Sequence, residues 1–139
     1  MQVRLGRQYR FFAAHRLYNP ALDDAENLRI YGKCSHPNGH GHTYLVDVVV
    51  SGPLNPDTQM IVDLDNLDEC VNAVLDTIAH KQIEVDVPEL AGQRSTTENV
   101  ARYLFDKLDP ETTRLGIVLE RVEVAETRNN RFVAERAAA

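Results

Sequence analysis

The sequence predicts a single α+β domain with the element order β-β-α-α-β-β, arranged as two hairpins. Three observations predict it. Residues 3–15 and 40–51 alternate between apolar and polar side chains. Two segments after Met60 repeat apolar residues at helical spacing. Turn-forming runs separate the strand-like pieces.

In the first strand, Val3, Leu5, Tyr9, Phe11, Ala13 and His15 share one parity, interrupted by Arg7. Residues 16–38 hold Pro20, Gly32 and Pro37 among scattered charges and are expected to form a long loop, of a length usually tied to function. The second strand, 40–51, sets His40, His42, Tyr44, Val46, Val48 and Val50 on one face, and Gly52-Pro53-Leu54-Asn55-Pro56-Asp57 closes it with turn chemistry. Met60-Ile61-Val62 reads as a short extended piece. A helix follows, capped by Asp63 or Asp65, with Leu64, Leu67, Val71, Val74, Leu75 and Ile78 as its stripe. Residues 80–92 read as irregular. Ser95-Thr96-Thr97-Glu98 fits a capping box, with Ser95 as the cap and Glu98 reaching back. Its helix buries Val100, Tyr103, Leu104 and Leu108 and is expected to end at Asp109-Pro110. Residues 114–127 form the third strand, with Val118, Val122, Val124 and Glu126 on one face. Arg128-Asn129-Asn130 turns into a short fourth strand, Arg131–Glu135.

The 139 residues fit one domain, 1–139, and a net charge of -6 argues against a nucleic-acid-binding module. No apolar run reaches membrane-spanning length, and the first residues show no hydrophobic leader. Two cysteines, Cys34 and Cys70, fit a cytoplasmic protein with free thiols.

Chemistry concentrates in Cys34-Ser35-His36-Pro37-Asn38-Gly39-His40-Gly41-His42. A strand sends residues i and i+2 to one face, so His40 and His42 aim at one point. His15 ends the first strand and is the candidate third ligand, matching the three protein ligands of a catalytic zinc site. The competing reading is three unrelated core histidines. Cys34 is either a small buried residue or, beside Lys33 and a metal, a thiol of lowered pKa acting as base or nucleophile. Cys70 lies beside a helical stripe and reads as packing. His80 reads as a helix C-terminal cation. Glu126 on an apolar face needs a partner. It is either paired with Arg128 or Arg131, or it anchors a ligand edge offering two parallel N–H groups.

Phe12-Ala13-Ala14-His15, Cys34 with Gly39-His40-Gly41-His42, His80-Lys81, Ser95-Thr96-Thr97-Glu98-Asn99 and Glu126-Thr127 occur in order across nearly the whole chain. Together they resemble the 6-pyruvoyl-tetrahydropterin synthase / 6-carboxy-tetrahydropterin synthase family. The resemblance implies a tunnelling (T-fold) subunit, a four-stranded antiparallel sheet with two helices on one face. It further implies sheets joined into a barrel by homo-oligomerisation, as a hexamer of two trimers. It implies Zn2+ on His15, His40 and His42, with Cys34 as the base and His80 in the acid/base group. Glu126, Thr96 and Thr97 would then hold the pterin. The implied reaction is loss of triphosphate from 7,8-dihydroneopterin triphosphate, giving 6-pyruvoyl-tetrahydropterin. The cysteine–histidine spacing resembles the pyruvoyl-forming branch. The alternatives are the carboxy-forming enzyme of queuosine biosynthesis, a zinc hydrolase, and a zinc- or pterin-binding homologue without turnover. The last arises because Ala79 stands where the family has Asp beside the histidine. Asp76, four residues before His80, is the candidate substitute if the helix extends that far.

Overall fold

The computed structural model describes residues 2–137. Its strands are β1 (Arg4–His15), β2 (His40–Ser51), β3 (Val118–Ala125) and β4 (Phe132–Glu135), joined in that order into one antiparallel sheet. The helices are α1 (Asp24–Tyr31), α2 (Leu64–Leu75), α3 (Ile83–Asp86) and α4 (Thr97–Arg114). The expected α+β sheet and its two long helices are present. No helix among the described residues is long and apolar enough to cross a membrane.

The core lies between one sheet face and helices α2 and α4. Phe11, Ala13, Tyr44, Val46, Val48, Val50, Val122 and Val124 meet Leu67, Val71, Leu104 and Leu108 there, all buried. Phe11 stacks on its cross-strand partner Tyr44, with ring centroids 4.8 Å apart. Arg7, the break in the β1 pattern, faces the same side. Its guanidinium donates two bonds to Asp68 on α2 (2.6 and 2.8 Å), and the Tyr9 hydroxyl donates a third (2.6 Å). The helix therefore docks on this end of the sheet through a shared carboxylate.

Several expectations are corrected. Residues 16–38 are not one loop, because α1 forms within them. Asp23 caps it through Glu26 N–H (2.8 Å), and buried Asn27 donates to the carbonyls of Asn19, Leu22 and Asp23. Residues 60–62 bend rather than extend. Asp63, not Asp65, caps α2, accepting from the amides of Asp65 and Asn66. Residues 83–90 fold into α3 and a 3-10 turn that bury Ile83, Val87 and Leu90. Thr96, not Ser95, caps α4, accepting from Asn99 N–H. Pro110 does not end α4. Thr112 and Thr113 hydroxyls bond carbonyls one turn back, and the helix runs on to Arg114. The third strand begins at Val118. Pairing shifts between Val49–Arg121 and Val50–Leu119, which leaves Glu120 as the extra residue of a bulge. Leu119 is thereby turned into the core and Val118 to solvent.

The Arg7–Asp68–Tyr9 cluster makes a pH prediction. The Arg7 and Tyr9 hydrogen bonds hold the Asp68 carboxyl down to about 2. Its folded value lies below the unfolded one, so its contribution is complete above about pH 4 and is lost as pH falls toward 2. Asp68→Asn is expected to lower the melting temperature at pH 7 by about 3–5 °C. It should also flatten the acid side of the stability curve, measured by thermal unfolding between pH 7 and pH 2.

Candidate metal centre and active site

The pairing register builds the site. His15 stands directly opposite His40, and His42 stands opposite Ala13. All three imidazoles lie on the helix-covered face at one end of the β1–β2 pair. The small Ala13 side chain leaves space beside His42. His15 Nε2 lies 3.1 Å from His40 Nε2, which lies 3.3 Å from His42 Nε2. A tetrahedral ion with metal–nitrogen bonds of 2.0–2.1 Å separates its ligand nitrogens by about 3.3 Å, so the donor set fits one ion.

The ligand state is prepared by the surroundings. The Nδ1 of fully buried His15 is 2.9 Å from the Ser95 carbonyl, which can only accept. Nδ1 therefore carries the proton and Nε2 offers its lone pair. Burial, then the neighbouring His15, pushes the His40 pKa below its ordinary value. Burial pushes His42 down as well, against the pull of the Glu126 carboxylate 2.9 Å away. Both rings are thus neutral ligands near pH 7.

Two further donors flank the histidines. Cys34 Sγ lies 3.1 Å from His40 Nε2. Burial, and then the Glu126 carboxylate, push its thiol pKa up from the ordinary value. On the other side, Glu126 Oε1 is 2.9 Å from His42 and 3.8 Å from His15, while Thr97 Oγ1 donates to Oε2. Potential ligand atoms of His15, Cys34 and His40 lie within 4.8 Å of one another, as do those of His15, His42 and Glu126. Glu126 pairs with neither Arg128 nor Arg131. The Arg131 guanidinium instead meets the carbonyls of Thr127, Arg128 and Asn130.

The loop carrying Cys34 is pinned to the end of β1. Leu17 N–H donates to the Cys34 carbonyl (2.6 Å), and Arg16 Nε to the Ser35 carbonyl (3.0 Å). Gly39 takes φ +67, and a Cβ there would lie 2.8 Å from the His15 carbonyl oxygen. Gly41 lies under the Phe12 ring on the opposite face. Both glycines permit the close approach that their positions suggest.

Of the expected site residues, the fold brings His15, Cys34, His40, His42, Thr97 and Glu126 together. It does not bring in Thr96, whose hydroxyl serves the helix cap. His80 lies elsewhere. Its ring is exposed beside Phe12, on the opposite sheet face, with centroids 6.4 Å apart. It adopts φ +61, and its N–H donates to the Phe12 carbonyl (2.6 Å). The proposed Asp76–His80 pairing is corrected too. α2 stops at Leu75, so the helical spacing is lost, and no hydrogen bond joins the two among the described residues. The sequence reading missed the Ser95 carbonyl, because a backbone acceptor leaves no residue-type signal. It also missed Arg16, which the histidine before it overshadowed.

The centre makes two predictions. Gly39→Ala is expected to weaken divalent-metal binding at least about tenfold. Gly92→Ala, also at positive φ (+84) but with open space around it, should leave metal content unchanged, as read by metal analysis of both purified variants. Because the His40 and His42 values lie below the ordinary 6.5, metal affinity should be level from pH 8 to 6.5. It should fall only below that, as the rings take up protons.

The 6-pyruvoyl tetrahydropterin synthase family model matches residues 4–137. Human 6-pyruvoyl tetrahydrobiopterin synthase is 45% identical over 130 residues, covering 93% of this chain and 88% of the human protein. The Drosophila melanogaster protein of the same name is 39% identical over 127 residues, covering 91% of this chain and 75% of its own. The solved Caenorhabditis elegans 6-pyruvoyl tetrahydropterin synthase superposes with a TM-score of 0.89 at 39% identity, covering 99% of this chain and 97% of that one. With nearly the whole chain matched, this protein belongs to the 6-pyruvoyl tetrahydropterin synthase family.

Proposed function

We propose that this protein is a zinc-dependent lyase that converts 7,8-dihydroneopterin triphosphate to 6-pyruvoyl-tetrahydropterin with release of triphosphate. The observation that carries the reading is the thiol of Cys34 at 3.1 Å from His40, on the rim of a three-histidine centre with Glu126 on its other side. A hydrolase using a metal-bound nucleophile needs neither group. Family membership and the names of the relatives support the same reaction.

His15, His40 and His42 would hold the ion. Bound there, zinc supplies Lewis acidity to the side-chain hydroxyls of the substrate and makes the adjacent carbon-bound protons easier to remove. Cys34 accepts those protons at Sγ as the general base. Its thiol is held up by burial, so its base form depends on compensating positive charge. Glu126 accepts two parallel N–H bonds from the pterin edge, with the Thr97 hydroxyl fixing the orientation of its carboxylate. His80 supplies the acid group to the site of a neighbouring copy. Its exposed ring on the Phe12 side of the sheet supports this role, and it acts there without Asp76. The same reading includes a homo-oligomer, a hexamer of two trimers, that pairs the sheet edges β1 and β4. It also includes a cytoplasmic setting in keeping with two free thiols.

The test is to incubate zinc-loaded protein with dihydroneopterin triphosphate and identify the pterin by mass. The expected result is the 6-pyruvoyl product with one triphosphate released per pterin. A 6-carboxy product would reassign the reaction within the family. Pterin binding without triphosphate release would overturn the enzymatic reading. Cys34→Ala is expected to cut turnover about 10²–10⁴-fold at unchanged metal content, and full retention would remove Cys34 as the base.

A further inference from the structure

A cavity of about 560 Å³ reaches His40, while His15, His42 and Glu126 are not among its lining residues. Arg16, Lys33, Ser35 and His36 line it together with Tyr18, Leu28 and Pro37. Its size suits a small-molecule fragment. The chain carries a net charge of -6, so an anion can be held only where cations are focused locally.

Two cations border this cavity without a carboxylate partner among the described residues. Lys33 Nζ makes no hydrogen bond or ion pair among the described residues. Arg16 is held in place from two directions. Its Nε donates to the Ser35 carbonyl, and its guanidinium carbon lies 4.0 Å from the Tyr18 ring centroid. Its terminal Nη donors carry no partner among the described residues. Two further cations, Arg29 and Arg131, are engaged elsewhere. Arg29 is paired with Glu26 at 2.7 Å, and Arg131 is tied to backbone carbonyls. The one carboxylate in the lining, Asp24, accepts from the Tyr18 hydroxyl at 2.8 Å. His36 adds a ring whose Nδ1 accepts from Asn38 N–H.

The order of groups through the site matches the order of groups in a pterin triphosphate. Glu126 lies 2.9 Å from His42, His42 lies 3.3 Å from His40, and His40 forms the wall of the cavity. A ligand with its ring on Glu126 and its hydroxylated side chain across the histidines extends its far end past His40. We propose that this cavity is the polyphosphate subsite, with Lys33 and Arg16 as the residues that bind the triphosphate and select for it. The proposal rests on the reaction assigned above. The guanidinium offers a planar fork to phosphate oxygens, and the ammonium a mobile point charge. The same groups would hold the triphosphate after its bond to carbon is broken.

The test separates this subsite from the reaction itself. Binding of inorganic triphosphate, and separately of phosphate-free dihydroneopterin, is measured by calorimetry on zinc-loaded protein, its Lys33→Ala and Arg16→Gln variants, and KM is measured with the triphosphate substrate. Lys33→Ala is expected to weaken inorganic triphosphate binding and raise KM by about tenfold or more. Its dihydroneopterin affinity should stay within about twofold of the parent, as a subsite confined to the phosphates requires. Arg16→Gln should do the same at unchanged metal content, and Lys33→Met decides the matter if Arg16→Gln loses metal. Unchanged triphosphate binding in the lysine variants, no binding by the parent, or an equal loss of dihydroneopterin affinity overturns the proposal. Triphosphate bound through Lys33 by a protein that releases none from the substrate would sink the assigned reaction and leave the anion site standing.

Discussion

His15 faces His40 because β1 and β2 pair without a break from Arg4–Ser51 to His15–His40. The rest of the site follows from that register. A slip of one residue would turn every side chain of one strand to the other face. It would move His15 to solvent and carry Phe11 and Ala13 out of the core. The register is therefore held by the whole buried face, from the Phe11–Tyr44 stack to the valines of β2. The metal ligands inherit their positions from apolar packing and need little stabilisation of their own.

Burial then decides the chemistry of these side chains. It lowers the basicity of His40 and His42 and raises that of the Cys34 thiol. In each case the neutral form is favoured. His40 and His42 thus rest as uncharged donors beside one carboxylate, Glu126. Such donors meet a divalent cation with little competition from protons. The carboxylate is itself oriented by Thr97 at the start of α4. The helix that covers the core thereby also fixes the far wall of the site.

The strands and the two long helices were legible because their periodicity is carried by apolar residues. The histidine positions were legible because strand parity is local. Other features depend on information that no local pattern holds. α1 was missed because a polar residue, Asn27, secures it through backbone carbonyls, while Leu28 and Ile30 face outward. The bulge at Glu120 is a property of two strands together, so the inward turn of Leu119 cannot be read from β3 alone. Ser95 and Thr96 are adjacent hydroxyl residues of similar capping quality, and only the demand of His15 for the Ser95 carbonyl separates them. The end of α2 at Leu75 likewise removed Asp76 from consideration.

The bond from Leu17 N–H to the Cys34 carbonyl closes residues 18–33 into an excursion with fixed ends. Closure entropy grows only with the logarithm of loop length, at about 0.6 kcal/mol for each doubling. Insertions or deletions within the excursion are therefore cheap as long as both anchors remain. The six-residue step from Cys34 to His40 has no such latitude, because Gly39 already packs against His15. A change of length in the outer excursion would therefore alter the wall of the cavity beside His40 without moving the ligands themselves.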